Sequence, residues 1–164
     1  MTMDRINALD GSAFAARFGF LFEHSPWIVE QAAARRPFVD LNAMHRALMA
    51  VVAESSPDSQ LALLRAHPKL ADKVAMTKES TAEQASAGLD RLSPEEFDRF
   101  HRLNDAYETR FGFPFIVCVR LTDKAGILAG MESRALNSRE IELAKALDEV
   151  GKIAWLRLQD AVTS

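Results

Sequence analysis

Three Ser-Pro steps punctuate this chain: Ser25-Pro26, Ser56-Pro57 and Ser93-Pro94. Serine supplies an oxygen that caps the open amides at a helix start. Proline at the next position has its φ preset and lacks an N–H that the first turn would leave unpaired anyway. Each step therefore reads as the beginning of a helix. At Ser93 the signal is doubled, because Glu96 stands where it can return a bond to the cap N–H. Asp40, Thr122-Asp123 and the run Asn137-Ser138-Arg139-Glu140 add further starts.

Apolar residues recur at helical spacing after these starts. A helix is predicted from Pro26 to about Arg35, closed by Pro37, with Trp27, Ile28 and Gln31 in its first turns. Leu41, Met44, Leu48, Val51 and Val52 make one face after Asp40, and His45 borders it as half-buried packing. Leu61 and Leu64 follow Ser56-Pro57. Phe97, Phe100, Leu103 and Tyr107 follow Ser93, with His101 at the boundary. Ile127, Leu128 and Met131 follow Asp123. Ile141, Ala144, Leu147, Val150, Ala154 and Leu158 would line one side of a long last helix ending near Ala161. Near the N-terminus, Ile6 and Leu9 begin a short turn, Asp10-Gly11-Ser12 breaks it, and Ser12 would cap a second short helix through Phe14 and Phe18. The expected fold is all-α, a single compact domain over residues 1–164 with roughly eight helices, several short, and no sheet.

Two stretches do not fit a plain helical pattern. The first runs from Ala66 to Ser93. His67 precedes Pro68, and a residue before proline is pushed toward extended geometry. One helix should therefore end near Ala66 and another begin at Pro68. His67 would stand at the joint, near the positive end of the second helix, where a neutral imidazole is favoured. Such an imidazole can act as a base. Ordinary packed domains also carry histidines at helix starts, and the residues alone leave both roles open. Further on, Ser80-Thr81-Ala82-Glu83 reads as a capping box, with Ser80 at the cap, and Gln84 follows.

The second stretch is Phe111–Arg120, FGFPFIVCVR, a continuous apolar run broken by Pro114. Alone it reads as a buried strand, yet no second strand is evident. An unpaired strand would leave its backbone groups unsatisfied. Either the run turns helical after Pro114, or its N–H and C=O groups meet something else, such as a ligand rich in amides. Cys118 within it reads as a small buried side chain, with no base nearby in sequence.

Several classes of function are disfavoured. The net charge is −3 with no long basic run, which argues against nucleic acid. No apolar stretch has the length of a membrane span. The four histidines, His24, His45, His67 and His101, lack metal-ligand spacing, and one cysteine cannot build a thiolate site. No phosphate-cradling loop, dinucleotide fingerprint or nucleophile elbow occurs. An enzyme of this kind is expected to use acid–base groups and amide hydrogen bonds, with no metal and no cofactor. The N-terminus lacks a signal-peptide pattern, the C-terminus lacks a Ser-Lys-Leu address, and the single cysteine fits a reducing compartment. A cytoplasmic location is expected.

The runs HPKLA, ESTAEQASAGLDRLSPEEF and FGFPFIVCVR closely resemble the 2-oxo-4-hydroxy-4-carboxy-5-ureidoimidazoline (OHCU) decarboxylases of urate degradation. FEHSPWIVEQA (Phe22 to Ala32) and KIAWLRL (Lys152 to Leu158) resemble that family too. The resemblance implies a cofactor-free, all-helical enzyme, usually a homodimer, that converts OHCU to (S)-allantoin. It places the catalytic pair on His67 and Glu83. It places substrate contacts on Pro68, Ser80, Thr81, Gln84, the backbone of Phe115, Ile116, Val117, Cys118 and Val119, and on Arg157. By position alone, Arg157 is equally a solvated arginine near a helix C-terminus. Two other classes compete with this expectation: a histidine phosphotransfer module and a non-catalytic helical interaction domain.

Overall fold

Local capping chemistry sets most helix starts in the computed structural model, which describes residues 1–72 and 76–163. Among the described residues there are nine α-helices, two 3-10 turns and no strand. The contacts divide the chain into two units.

The first unit comprises residues 1–66 and the chain from Gly151 onward. It contains α1 (Met3–Ala8), α2 (Gly11–Phe18), a 3-10 turn (Gly19–Leu21), α3 (Trp27–Ala33), α4 (Leu41–Glu54) and α5 (Pro57–Ala66). Asp40 caps α4 by accepting the Ala43 amide at 2.7 Å, and Ser56 accepts the Ser59 amide at 3.1 Å at the start of α5. Asp10, not Ser12, caps α2, because its carboxylate takes the Ala13 amide at 2.7 Å. Phe14, Phe18, Ile28, Met44 and Leu48 are fully buried, as the apolar spacing required. His45 is half-buried, bonded through Nε2 to the Gly151 carbonyl at 2.8 Å and edge-on to Trp155.

The second unit runs from His67 to Val150. It contains α6 (Lys78–Ser86), α7 (Pro94–Phe111), a 3-10 turn (Val119–Leu121), α8 (Lys124–Arg134) and the first half of α9 (Arg139–Thr163). The Ser93–Glu96 capping box is complete in both directions. Asp123 caps α8 and Ser138 accepts the Ile141 amide at the start of α9. α7 ends at Gly112, whose φ of 83° needs a residue without a Cβ penalty.

Three expectations require correction here. No helix begins at Pro68: residues 68–72 form an irregular segment with a turn at Leu70-Ala71, and the continuation at 73–75 lies outside the described residues. The field expected at His67 from a following helix is therefore absent. Helix α6 begins at Lys78, capped by Thr77, whose hydroxyl accepts the Ser80 amide at 3.3 Å. Ser80 and Glu83 thus lie inside the helix rather than at a capping box. The FGFPFIVCVR run, by contrast, follows both alternatives in part. Over residues 114–118 it is neither strand nor helix, and its Ile116 carbonyl and Cys118 amide bond side chains from other helices, while Val119–Leu121 turns into a 3-10 segment. Finally, the stripe read along α9 holds over Val150, Ala154 and Leu158, which are buried, but not at its start, where Ile141 and Ala144 are exposed. Ile141 is 55% exposed, whereas Glu142 is 0% and Glu149 6% exposed, alongside Ala146 and Val150.

Candidate active site

His67 opens the second unit and is buried at 8% exposure. The irregular segment after it is fastened by side chains from two helices. Gln84 of α6 accepts the Ala71 amide at 2.9 Å and donates to the Lys69 carbonyl at 3.4 Å. Asn104 of α7 donates to the Leu70 carbonyl at 2.8 Å. Three successive residues are thus held where no helix ladder can pair them. Lys69 adds an ion pair with Glu108 of α7 at 3.2 Å. Ala71 has a φ of 60°, a left-handed conformation that disfavours a side chain. The segment is therefore held in place from outside rather than folding by its own preference.

Helix α6 presents Ser80 and Gln84 one turn apart on its buried side, with Glu83 half-buried beside them. Thr81 is exposed, and its hydroxyl donates to the Thr77 carbonyl at 2.9 Å. Thr81 therefore stands apart from the Ser80–Gln84 face.

α6 packs on the Val119–Leu121 turn. This brings it to the end of the apolar run, in which Phe115, Ile116, Cys118 and Val119 are buried and Val117 is half-buried. The backbone of this run is met by distant side chains. Arg134 of α8 donates from Nη1 to the Ile116 carbonyl at 2.8 Å. Glu149 of α9 accepts the Cys118 amide at 3.2 Å. Burial pushes the Cys118 thiol up from its ordinary value, and the carboxylates of Glu149 and Glu83 push it further. Glu83 and the run therefore share one electrostatic environment.

Arg134 is itself anchored. Its Nε donates to Glu142 Oε1 at 2.8 Å, the Tyr107 hydroxyl donates to the same oxygen at 2.6 Å, and Asn137 donates to Oε2 at 2.9 Å. Burial raises the Glu142 carboxyl, but these bonds and the Arg134 charge outweigh it and hold the group below the usual carboxylate range. Burial, with the Glu142 bond, pushes the Tyr107 phenol up.

Arg157 belongs to the first unit, on the second half of α9. It is buried at 4% exposure and its Nη1 donates to the Phe20 carbonyl at 2.9 Å. It is not the solvated arginine that its position alone allowed. Pro68 is half-buried beside His67. Sequence reasoning missed Asn104, Arg134, Glu142 and Glu149. Glu142 and Glu149 are seven apart on one helix and flank Ala146, so they share a face with a core residue. That spacing was the one available signal. Among the described residues no group of three His, Cys, Asp or Glu could hold a metal ion, and no helix is long and apolar enough to cross a membrane.

A helical frame carrying a buried histidine, and a half-buried carboxylate whose charge acts on an apolar run held by its backbone groups, suits proton transfer on a small polar substrate. Residues 7–159 match the OHCU decarboxylase family, and the chain belongs to that family. It is 44% identical over 164 residues to a 2-oxo-4-hydroxy-4-carboxy-5-ureidoimidazoline decarboxylase of Haloferax volcanii, covering 100% of this chain and 98% of the relative. It is 40% identical to a uric acid degradation bifunctional protein of Bacillus subtilis, covering 99% of this chain and 33% of that longer protein. The crystal structure of an (S)-allantoin synthase superposes with a TM-score of 0.77 at 31% identity, covering 98% of this chain and 54% of that one. A second structure, an OHCU decarboxylase in the presence of (S)-allantoin, shares the fold with a TM-score of 0.71 at 23% identity, covering 86% of this chain and 94% of that one.

Proposed function

We propose that this chain decarboxylates OHCU to (S)-allantoin in urate catabolism. The observation that carries the reading is the meeting of α6 with the FPFIVCV run. Helix α6 holds Ser80, Glu83 and Gln84, and through Gln84 it also holds the segment that follows His67. One helix is thereby tied both to the segment after His67 and to the end of the stretch whose backbone suits an amide ligand, which supports the reading. The family match spans residues 7–159, which supports treating both units as one decarboxylase domain.

The chemistry asks little of the protein in redox or electron-sink terms. The bond from the ring carbon to the carboxylate breaks, and its electron pair moves toward the neighbouring C=N, whose nitrogen takes a proton. The ring hydroxyl then loses its proton to become a carbonyl, and the adjacent carbon gains one on a single face. Carbon dioxide is replaced by hydrogen with no net oxidation. We assign His67 the management of the hydroxyl or ring proton. Glu83 orients the histidine or the ureido group, and Ser80 and Gln84 help fix the ring, Gln84 also by holding the His67 segment.

In an extended stretch the backbone groups of alternate residues point to opposite sides. The Ile116 carbonyl and the Cys118 amide are taken by Arg134 and Glu149. Val117 would then turn its N–H and C=O the other way, toward a cyclic amide. Fixed donors aimed at developing charge are commonly the largest catalytic contribution. Arg157 is assigned substrate binding on the family resemblance. We place it on a ring or ureido carbonyl, because a clamp on the departing carboxylate would stabilise the ground state instead. A homodimer rests on the same resemblance. A cytoplasmic location is supported by the single buried, free Cys118.

The burial of His67 weighs against phosphotransfer, which needs a histidine open to a kinase. The test is product analysis: freshly generated OHCU with the protein, followed by NMR. Accelerated loss of the carboxylate carbon as carbon dioxide with allantoin as product supports the assignment. Consumption at the uncatalysed rate overturns it.

A further inference from the structure

The buried Arg134–Glu142 pair is not used in the proton chemistry assigned above, and stability alone does not account for it. Glu142 is fully buried and Arg134 is 7% exposed. Taking two charges out of water is costly, and well-packed apolar residues often serve as well or better. A buried ion pair of this kind is best understood by what it holds in place.

What it holds is the backbone of the FPFIVCV run. The guanidinium of Arg134 has three edges, and each meets a different part of the unit. Nε is on Glu142 and Nη1 is on the Ile116 carbonyl. Nη2 is buried without a hydrogen-bond acceptor, while the guanidinium carbon lies 4.3 Å from the centre of the Phe115 ring. That ring face offers the cation an electrostatic partner. Phe115 in turn stands edge-on to Tyr107 at 5.3 Å, and Tyr107 donates to Glu142. The loop of contacts closes: Tyr107, Glu142, Arg134, Phe115 and back to Tyr107. Glu149, on the same face of α9 as Glu142, takes the Cys118 amide two residues further on. Two glutamates and one arginine thus fix the run where a second strand would otherwise have paired it.

We propose that Arg134, anchored by Glu142 and Tyr107, is a positioning residue that sets the backbone of Phe115–Val119 in its ligand-binding conformation. This rests on the decarboxylase reading for its consequence in turnover, but not for the conformational claim itself. Removing Arg134 alone would strand the Glu142 charge in the core and risks unfolding. The informative variant is therefore Arg134→Met with Glu142→Gln, which removes both charges. Tyr107→Phe, which removes one bond, is the milder companion.

Two measurements decide the matter. Amide hydrogen exchange is followed over residues 113–121 and over α7, and KM and kcat are measured on OHCU. In the folded double variant, exchange over 113–121 should rise by about tenfold or more while α7 keeps its wild-type rates, and KM should rise by a similar factor. Tyr107→Phe should shift both in the same direction by less. A hub with a merely structural role would raise exchange evenly across the unit and leave KM unchanged, and that result would overturn the proposal. Unchanged exchange over 113–121 would overturn it too. If the wild-type protein failed to turn over OHCU, the functional reading would fall, and the exchange comparison would still decide the positioning claim.

Discussion

The side-chain carbonyl of Gln84 accepts the backbone N–H of Ala71 at 2.9 Å, and Ala71 sits at a φ of 60°. A left-handed alanine costs about 1–2 kcal/mol relative to the common regions. The bond from Gln84 holds it there, four residues past His67. Ala71→Gly should therefore leave the melting temperature level or raise it, since strain relief of about 1 kcal/mol offsets the added freedom of the unfolded chain. Ala71→Val should lower it clearly, because a branched side chain tolerates that region poorly. Thermal unfolding of both variants is the check.

Gln84→Leu should damage turnover more than stability. The substitution leaves the Ala71 amide and the Lys69 carbonyl without their side-chain partner, for a cost of about 1–3 kcal/mol. The segment following His67 loses one of its two fasteners. Urea unfolding should show a modest loss, while kcat on OHCU should fall at least about tenfold in the folded protein. Wild-type kcat would show that Gln84 neither holds the segment nor meets the substrate.

Asn104→Leu tests the second fastener. It removes the donor to the buried Leu70 carbonyl. It also removes Asn104 Oδ1, a buried acceptor with no partner, so the stability loss should fall near the low end of about 1–3 kcal/mol. kcat should fall in the same direction as for Gln84→Leu. The paired measurement is chemical unfolding with steady-state kinetics.

Stability should depend on pH at both edges through one hydrogen-bonded pair. Glu142 is held below its ordinary range when folded, so its contribution is present above about pH 4.3, the unfolded value, and is lost as pH falls below it. Tyr107 is pushed up when folded, so its contribution is present below about pH 10 and is lost as pH rises beyond it. The fall in melting temperature between about pH 5 and pH 3 should be smaller in Glu142→Gln than in the wild type. An equal fall in both proteins would contradict the assignment.

Cys118 should be nearly inert in the folded protein. It is 2% exposed, and burial, Glu149 and Glu83 all disfavour the thiolate. Alkylation by iodoacetamide near neutral pH should be about a hundredfold slower than in denaturant. Rapid native labelling would mean that the run is open.

The caps were readable because they are local. Asp40, Ser56, Ser93, Asp123 and Ser138 each bond an amide three residues on, and that chemistry is written in the spacing. Ser80 misled because Thr77 lies three residues before it and caps first, while Ser80 and Glu83 mimic a box one turn later. The start of the α9 stripe misled, though Val150, Ala154 and Leu158 are buried as read, because Glu142 is made tolerable in the core by Tyr107, Arg134 and Asn137. Two of those partners lie on other helices, and spacing within α9 carries no trace of them. The segment after His67 is likewise set by Gln84 and Asn104, so Pro68 could not by itself start a helix. His67, Glu83 and the FPFIVCV run stood out through resemblance and through their misfit to a packed helix, whereas the network that supports the run did not.

The central claim is stereospecific decarboxylation managed by His67. Its most direct test is circular dichroism on freshly generated OHCU, with wild-type protein and with His67→Ala. The uncatalysed reaction gives racemic product, so growth of optical activity reports protonation on one face. Rapid appearance of the (S)-allantoin signal with wild type, and its loss in a folded His67→Ala variant, is the predicted result. A signal that persists at the wild-type rate in His67→Ala, or no signal from well-folded wild-type protein, would contradict the account.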